Sequence, residues 1–232
     1  MALAIFDLDN TLLCGDSDHL WGDFLVEQGV VDAELYQQAN DHFYREYNEG
    51  TLDIFEFLHF SLKPLSEHAP DTLHAWREQF VSERIEPIIL PAGLELIQKH
   101  RDAGDTLLII TATNSFVTTP IARRLGVANL IATTPEMVDG RYTGQVAGTP
   151  SYKEGKIERL NQWLASNQHN LDDSCFYSDS HNDIPLLEVV DRPIAVDPDE
   201  ALTQHANSRG WPIISLRGEG INSTRHGINL TK

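Results

Sequence analysis

The sequence is poor in cysteine, in basic residues and in long apolar runs, and each shortage closes off a class of protein. Only two of its 232 residues are cysteines, Cys14 and Cys175. They stand far apart and in no metal-ligand spacing, so no disulfide framework is expected and a reducing compartment fits. Lys and Arg number 17 against 35 Asp and Glu, a formal net charge of −18. Nucleic-acid binding needs a basic footprint that displaces counterions, and docking on anionic lipid needs a basic face, so neither partner is expected. No apolar run approaches the roughly 18 residues that span a bilayer. Ahead of Asp7 and Asp9 the N-terminus has no basic segment, so a secretory signal is not expected and the sequence reads as cytoplasmic. The ten histidines form no HxH or HExxH pair, so no zinc site is expected. What remains is ordinary globular composition, 41% apolar and 22% charged, enough for a packed core of one or two domains.

Short apolar runs that end in polar residues dominate the rest of the chain. Leu3-Ala4-Ile5-Phe6 breaks into Asp7-Leu8-Asp9-Asn10-Thr11, and Thr106-Leu107-Leu108-Ile109-Ile110 breaks into Thr111-Ala112-Thr113-Asn114. Both read as buried parallel strands, with weaker ones near Leu130–Thr133, Cys175–Ser178 and Pro193–Val196. Helical faces lie between them: Leu94 and Ile97 after Pro91, then Ile121 and Leu125, then Ile157, Leu160, Trp163 and Leu164. Strands alternating with helices predict a doubly wound, parallel-sheet, Rossmann-like α/β core.

One stretch breaks the alternation. From Gly15 to Glu86 there is no strand pattern. Leu35, Ala39, Phe43 and Tyr47 give one helical face, Ile54, Phe57, Leu58, Ser61 and Leu62 a second, and Leu73, Trp76 and Phe80 a third. A segment of roughly 70 residues is too long for a loop, which predicts an inserted all-helical domain. The expected division is a core of 1–14 and 87–217, a helical cap of 15–86 and a flexible polar tail of 218–232. Met137 to Thr143, centred on Asp139-Gly140, predicts a hairpin.

The carboxylates carry the chemistry. Asp7 and Asp9 sit two apart at the end of the first strand, where side chains share a face. Asp179 and Asp183, with His181 and Asn182 between them, follow a later strand. Open α/β sheets bind ligands at the carboxyl ends of their strands. Singly, each Asp could be a turn former or helix cap, and His181 a solvent-facing loop residue. Together they would repel unless a cation such as Mg²⁺ neutralised them.

Asp7-Leu8-Asp9-Asn10-Thr11 resembles the DxDxT motif of the haloacid dehalogenase superfamily of phosphohydrolases. Thr111 after four apolar residues matches its second motif, Lys156 its lysine, and Asp179 with Asn182 and Asp183 its fourth motif. Lys153 is a rival for the lysine; Lys156 is preferred because it precedes the apolar face of Ile157 and Leu160. The helical insert and the Asp139-Gly140 hairpin are similar to those of the phosphoserine-phosphatase-like subfamily. The resemblance implies that Asp7 is the nucleophile, forming an aspartyl-phosphate, and that Asp9 is the general acid and base. It also implies Mg²⁺ on Asp7, Asp179 and the backbone carbonyl of Asp9. Thr111, Ala112, Lys156 and Asn182 would hold the phosphate, with Asp183 behind them.

The substrate implied is a small phosphomonoester. In phosphoserine phosphatases an acidic residue nine past the nucleophile meets the substrate amine, and Asp16 stands there. The cap arginine that would take a carboxylate is replaced by Ser61, and Ala112 stands where those enzymes have glycine. Serine cannot supply a charged bidentate fork. An amine-bearing ester without a carboxylate, such as histidinol phosphate, fits better. Phosphoserine stays open if Arg45 or another cap residue binds its carboxylate. A phosphotransferase or mutase, or a non-enzymatic phospho-acceptor, is the alternative in kind.

Overall fold

The computed structural model describes residues 2–218, so all but the first residue of the expected 218–232 tail lies outside the described residues. The chain opens with β1 (Leu3–Phe6), then runs through α1 (Ser17–Glu27), α2 (Ala33–Glu49), α3 (Ile54–Glu67) and α4 (Pro70–Phe80). A π-helical turn at Val81–Ile85 and a 3-10 turn at Glu86–Ile88 lead into α5 (Pro91–Asp102) and β2 (Thr106–Asn114). There follow α6 (Ser115–Arg124), β3 (Asn129–Thr133), β4 (Pro135–Val138), β5 (Arg141–Val146) and α7 (Glu154–Asn167). The last elements are β6 (Cys175–Ser178), a 3-10 turn at His181–Asp183, α8 (Ile184–Leu187), β7 (Arg192–Val196), α9 (Glu200–Arg209) and β8 (Ile213–Ile214).

Six strands form one sheet in the order β3-β2-β1-β6-β7-β8, paired in parallel throughout. The expected doubly wound α/β fold is what the chain adopts. The chain winds outward from β1 through β2 to β3, then restarts at β6 on the other side of β1. That reversal leaves a crevice at the carboxyl ends of β1 and β6, and Asp7 and Asp179 are the residues that follow those two strands.

Successive strand residues face opposite sides, so β1 feeds two cores. Ala4 and Phe6 join Trp21, Phe24, Leu58, Leu62, Leu73, Phe80 and Leu96 on one face. Leu3 and Ile5 join Leu160, Leu164, Leu187 and Leu202 on the other. The helices between β1 and β2 thus share a core with the sheet. Burying each such large side chain is worth about 1.5–3 kcal/mol, which fastens these helices over the strand ends. Part of the acidic excess caps helices: Asp16, Asp32, Asp53 and Asp199 accept backbone N–H groups at the starts of α1, α2, α3 and α9.

The structure corrects several expectations. Leu35 does not share a buried face with Phe43 and Tyr47. It is 70% exposed, and α2 buries Tyr36 and Asn40 instead. Strand β2 does not end at Ile110 but runs on to Asn114, carrying Thr111 and Thr113 within it. The hairpin forms as expected: Asp139 and Gly140 take φ of 50° and 77° between β4 and β5, as a tight two-residue turn requires. Among the described residues no helix is long and apolar enough to cross a membrane.

Candidate active site

Asp7 leaves the sheet still anchored to it, its N–H donating to the Tyr177 carbonyl at 2.8 Å. Its carboxylate is buried and meets Lys156 Nζ at 2.8 Å. The same ammonium reaches Asp183 Oδ2 at 2.8 Å, and Ser178 Oγ donates to that oxygen at 2.7 Å. Lys156 rides the first turn of α7 and is only 2% exposed. Burial alone would lower its pKa, but the charges of Asp183 and Asp7 raise it above the ordinary value, so it stays protonated. Burial pushes the Asp7 carboxyl up to about 8; Lys156 pulls it down, while Asp183 and Asp9 push it further up.

Asp9 is held from three sides. Ser17 N donates to Oδ1 at 2.7 Å, and Thr113 Oγ1 and Thr111 Oγ1 reach Oδ2 at 2.8 and 3.3 Å. Burial raises its pKa, and those donors work against the rise. Asp179 accepts from Thr11 Oγ1 at 3.0 Å and returns its own N–H to that oxygen at 3.1 Å. Burial, together with the charges of Asp7 and Asp183, holds its carboxyl well above the usual range. Among the described residues no three His, Cys, Asp or Glu side chains form a ready-made cage. A hard cation does not need one. Two carboxylates that repel each other, Asp7 and Asp179, plus a backbone carbonyl leave room for water and a substrate oxygen, the donor set that suits Mg²⁺.

The two candidate lysines separate. Lys156 meets Asp7, whereas Lys153 Nζ donates to the Gly50 carbonyl at 2.9 Å, from a backbone with φ of 47°. Asn182 Nδ2 donates to the Tyr47 carbonyl at 3.1 Å, and Tyr152 OH donates to Asn182 Oδ1 at 3.2 Å. His181 is not a solvent-facing loop residue: its side chain is 21% exposed, and its Nδ1 lies 2.7 Å from Asp199 Oδ2. Gly50 ends α2 with φ of 72°, and a Cβ there would come within 2.6 Å of His181 Nε2. The C-terminal end of α2 is therefore clasped by the segments that carry Lys156 and Asp179. Ala112 lies on β2 and accepts Thr133 Oγ1 on its carbonyl at 2.7 Å.

Between the strand ends and the helices lies a cavity open to solvent. Asp7, Asp9, Thr111, Ala112 and Thr113 form its floor. Asp16, Asp18 and His19 form one wall, and Phe43, Tyr44, Tyr47 and Phe57 another. No lysine or arginine lines it among the described residues. Asp16 caps α1 with Oδ1, accepting Asp18 N and His19 N at 2.9 Å each. Burial and the charge of Asp9 push it up to about 7. Asp18 is raised well above its ordinary value by burial and by Asp16 and Asp9. Ser61 is buried outside the lining, and Arg45 is exposed and also outside it, so neither offers a charge to a bound carboxylate. Ser17, Thr113 and His19 were not foreseen. Thr113 was within reach, being two residues from Thr111 on one strand and so on the same face.

An acidic pair at the switch point of a doubly wound sheet, backed by a buried lysine, defines a class of enzyme. The profile of the haloacid dehalogenase-like hydrolase family matches residues 4–188, and the chain belongs to that family of hydrolases. It is 48% identical over 219 residues to a histidinol-phosphatase of Neisseria meningitidis serogroup C (strain 8013), covering 93% of this chain and 99% of that one. It is 34% identical over 221 residues to the phosphoserine phosphatase SerB1 of Mycobacterium tuberculosis, covering 93% and 71%. A solved structure from Bordetella pertussis Tohama I, of unknown function, superposes with a TM-score of 0.88 at 48% identity over 93% and 98% of the two chains. A phosphoserine phosphatase captured as a phospho-aspartyl intermediate analogue shares the fold, with a TM-score of 0.69 at 20% identity over 95% of each chain.

Proposed function

We propose that this enzyme is a phosphatase that hydrolyses histidinol phosphate through an aspartyl-phosphate on Asp7. A carboxylate oxygen of Asp7 attacks phosphorus, and the bond from phosphorus to the ester oxygen breaks. Asp9, protonated, gives its proton to the departing alcohol. In the second half, the Asp9 carboxylate takes a proton from water as that water attacks the phosphorus; phosphate leaves and Asp7 is regenerated. Such proton transfers contribute typically about 10²–10⁴-fold. Burial raises Asp9, which suits the acid half, and the hydroxyls of Thr111 and Thr113 with Ser17 N fix its orientation. Thr111, the backbone at Ala112 and Lys156 hold the phosphoryl oxygens, with Asp183 steadying Lys156, while Asn182 holds the Tyr47 carbonyl beside them. Asp7, Asp179 and the Asp9 carbonyl would hold Mg²⁺, which would supply the positive charge that lets a carboxylate approach a phosphate.

The observation that carries the substrate is the lining of the cavity: among the described residues Asp16 and Asp18 are there and no lysine or arginine is, Lys156 standing behind Asp7. Such a wall suits an ammonium and gives a carboxylate no partner. The high identity to a histidinol-phosphatase over nearly its whole length supports the same substrate. Phosphate release from histidinol phosphate tests it. Turnover is expected with Mg²⁺, to stop with EDTA and to return when Mg²⁺ is restored; turnover indifferent to chelation would count against the scheme.

A further inference from the structure

Lys153, the lysine that does not reach Asp7, has an unusual place of its own. It is the N-cap of α7, where Ser, Thr, Asn or Asp would accept a backbone N–H, and its side chain caps nothing. Its backbone stands at φ of 47° and ψ of −122°, a conformation that residues with a Cβ rarely adopt. Strain of this kind persists only where the surroundings over-determine it. Here they form a tight turn: a Cβ on Gly155 would come within 2.1 Å of the Pro150 carbonyl oxygen, and Gly155 N donates to the Tyr152 carbonyl at 2.8 Å. Lys153 Nζ is thereby aimed away from α7. It donates to the Gly50 carbonyl at 2.9 Å and lies 5.1 Å from the centroid of the Tyr152 ring.

That carbonyl closes α2, and α2 is the exception among the helices over the strand ends. None of its residues joins either hydrophobic core among the described residues, and of its 17 residues it buries Tyr36 and Asn40. It leans on its neighbours, with Tyr36 and Phe43 against Phe60 of α3 and Asn40 Nδ2 on the His19 carbonyl of α1. Yet it supplies Phe43, Tyr44 and Tyr47 to the cavity. Its hold on the segments that carry Lys156 and Asp179 lies in its last turn, where Lys153 takes the Gly50 carbonyl and Asn182 the Tyr47 carbonyl. Carbonyls at a helix end lack intrahelical partners, so a side-chain donor there fixes where the end sits.

We propose that Lys153 is a positioning residue for substrate selection: by pinning the Gly50 carbonyl it sets Tyr44 and Tyr47 against the end of the ester that lies away from the phosphate, and so favours esters that carry a flat ring there. This rests on histidinol phosphate being the substrate. The wall that Lys153 holds is aromatic, and aromatic side chains meet a flat ring offset or edge to face. A loosened α2 loses contact with the ring. It leaves the phosphate and the ammonium in place, because the floor belongs to the strand ends and Asp16 to the start of α1.

The test is a ratio: kcat/KM for histidinol phosphate over kcat/KM for 2-aminoethyl phosphate, which keeps the amine and lacks the ring. Lys153→Met, of similar length without the donor, is expected to lower that ratio about tenfold. Lys153→Arg, which can still donate, is expected to keep it within about threefold of the parent. Lys153→Gly relaxes the strained backbone but also removes the donor, and is expected to match Lys153→Met. Amide hydrogen exchange gives a second readout that needs no substrate. Peptides spanning 41–50 are expected to exchange about tenfold faster in Lys153→Met, while those spanning 70–80 keep the parent rate. Equal losses on both esters, a ratio that Lys153→Met or Lys153→Gly leaves unchanged, or one that Lys153→Arg fails to keep overturns the proposal. So does exchange that quickens alike in both stretches or in neither. Failure of the substrate reading is distinguishable, since it appears in the unsubstituted enzyme as a preference for phosphoserine and leaves the exchange result intact.

Discussion

The floor and the wall of the cavity are built on opposite terms. On the floor and just behind it each carboxylate is already engaged: Asp7 and Asp183 by Lys156, Asp9 by Thr113 and Ser17, Asp179 by Thr11. On the wall, Asp16 commits Oδ1 to the start of α1, and no lysine or arginine lines the cavity to meet its charge among the described residues. A site that must orient charge in a transition state gains from dipoles fixed beforehand. A site that must tell one small molecule from another gains from groups left unsatisfied until the right molecule arrives, because the wrong one leaves them bare. The first property belongs to strand ends, the second to helices laid over them.

The contrast can be broken from the floor first. Asp7→Asn removes the proposed nucleophile and is expected to cost at least about 10³-fold in kcat while leaving the melting temperature near that of the parent. Comparable turnover by that variant would show that the floor works another way. Lys156→Ala leaves Asp7 and Asp183 buried without their cation, and is expected to lower unfolding free energy by about 3–5 kcal/mol in urea without divalent ions. A loss below about 1 kcal/mol would mean the pair is solvated rather than locked.

Changes to the wall sharpen the comparison with smaller effects. Asp16→Asn keeps an oxygen for the cap and removes the charge, so it is expected to raise KM about tenfold for amine-bearing esters and less for p-nitrophenyl phosphate. A uniform rise would take Asp16 out of recognition. The same variant tests a pH effect. Asp16 is pushed from 3.8 to about 7 in the folded chain, which therefore keeps a proton that the unfolded chain has lost between those values. Its contribution to stability is full below pH 3.8 and is lost as the pH rises through about 7. Asp16→Asn should flatten that decline in unfolding measurements made without substrate. Gly50→Ala, at φ of 72° and against His181, is expected to cost about 1–2 kcal/mol and to slow turnover by loosening the clasp on α2.

The floor was legible in the sequence because strand ends announce themselves. An apolar run that stops at Asp-Leu-Asp or at Thr-Ala-Thr places its polar residues at a sheet edge whatever the helices do. Lys156 and Lys153 could be ranked because only the first precedes a regular apolar face. The wall was harder to read. Of the face expected for α2 the structure turns Leu35 to solvent, while Phe43 and Tyr47 line the cavity and Tyr36 and Asn40 are the residues the helix buries. Apolar periodicity finds helices that face a core and misjudges those that face a ligand. His19 gave no signal at all, since its surroundings come from Asp23 on its own helix and Asp41 on the next. Strand β8, only two residues long, was too short to show any period.

The central claim is that the acidic wall, which carries no lysine or arginine among the described residues, chooses an amine-bearing ester without a carboxylate. The most direct measurement is phosphate release, with Mg²⁺ present, from histidinol phosphate and phosphoserine competing in one solution. The account predicts that kcat/KM for histidinol phosphate is the larger by at least about tenfold. Equal values, or a preference for phosphoserine, would contradict it.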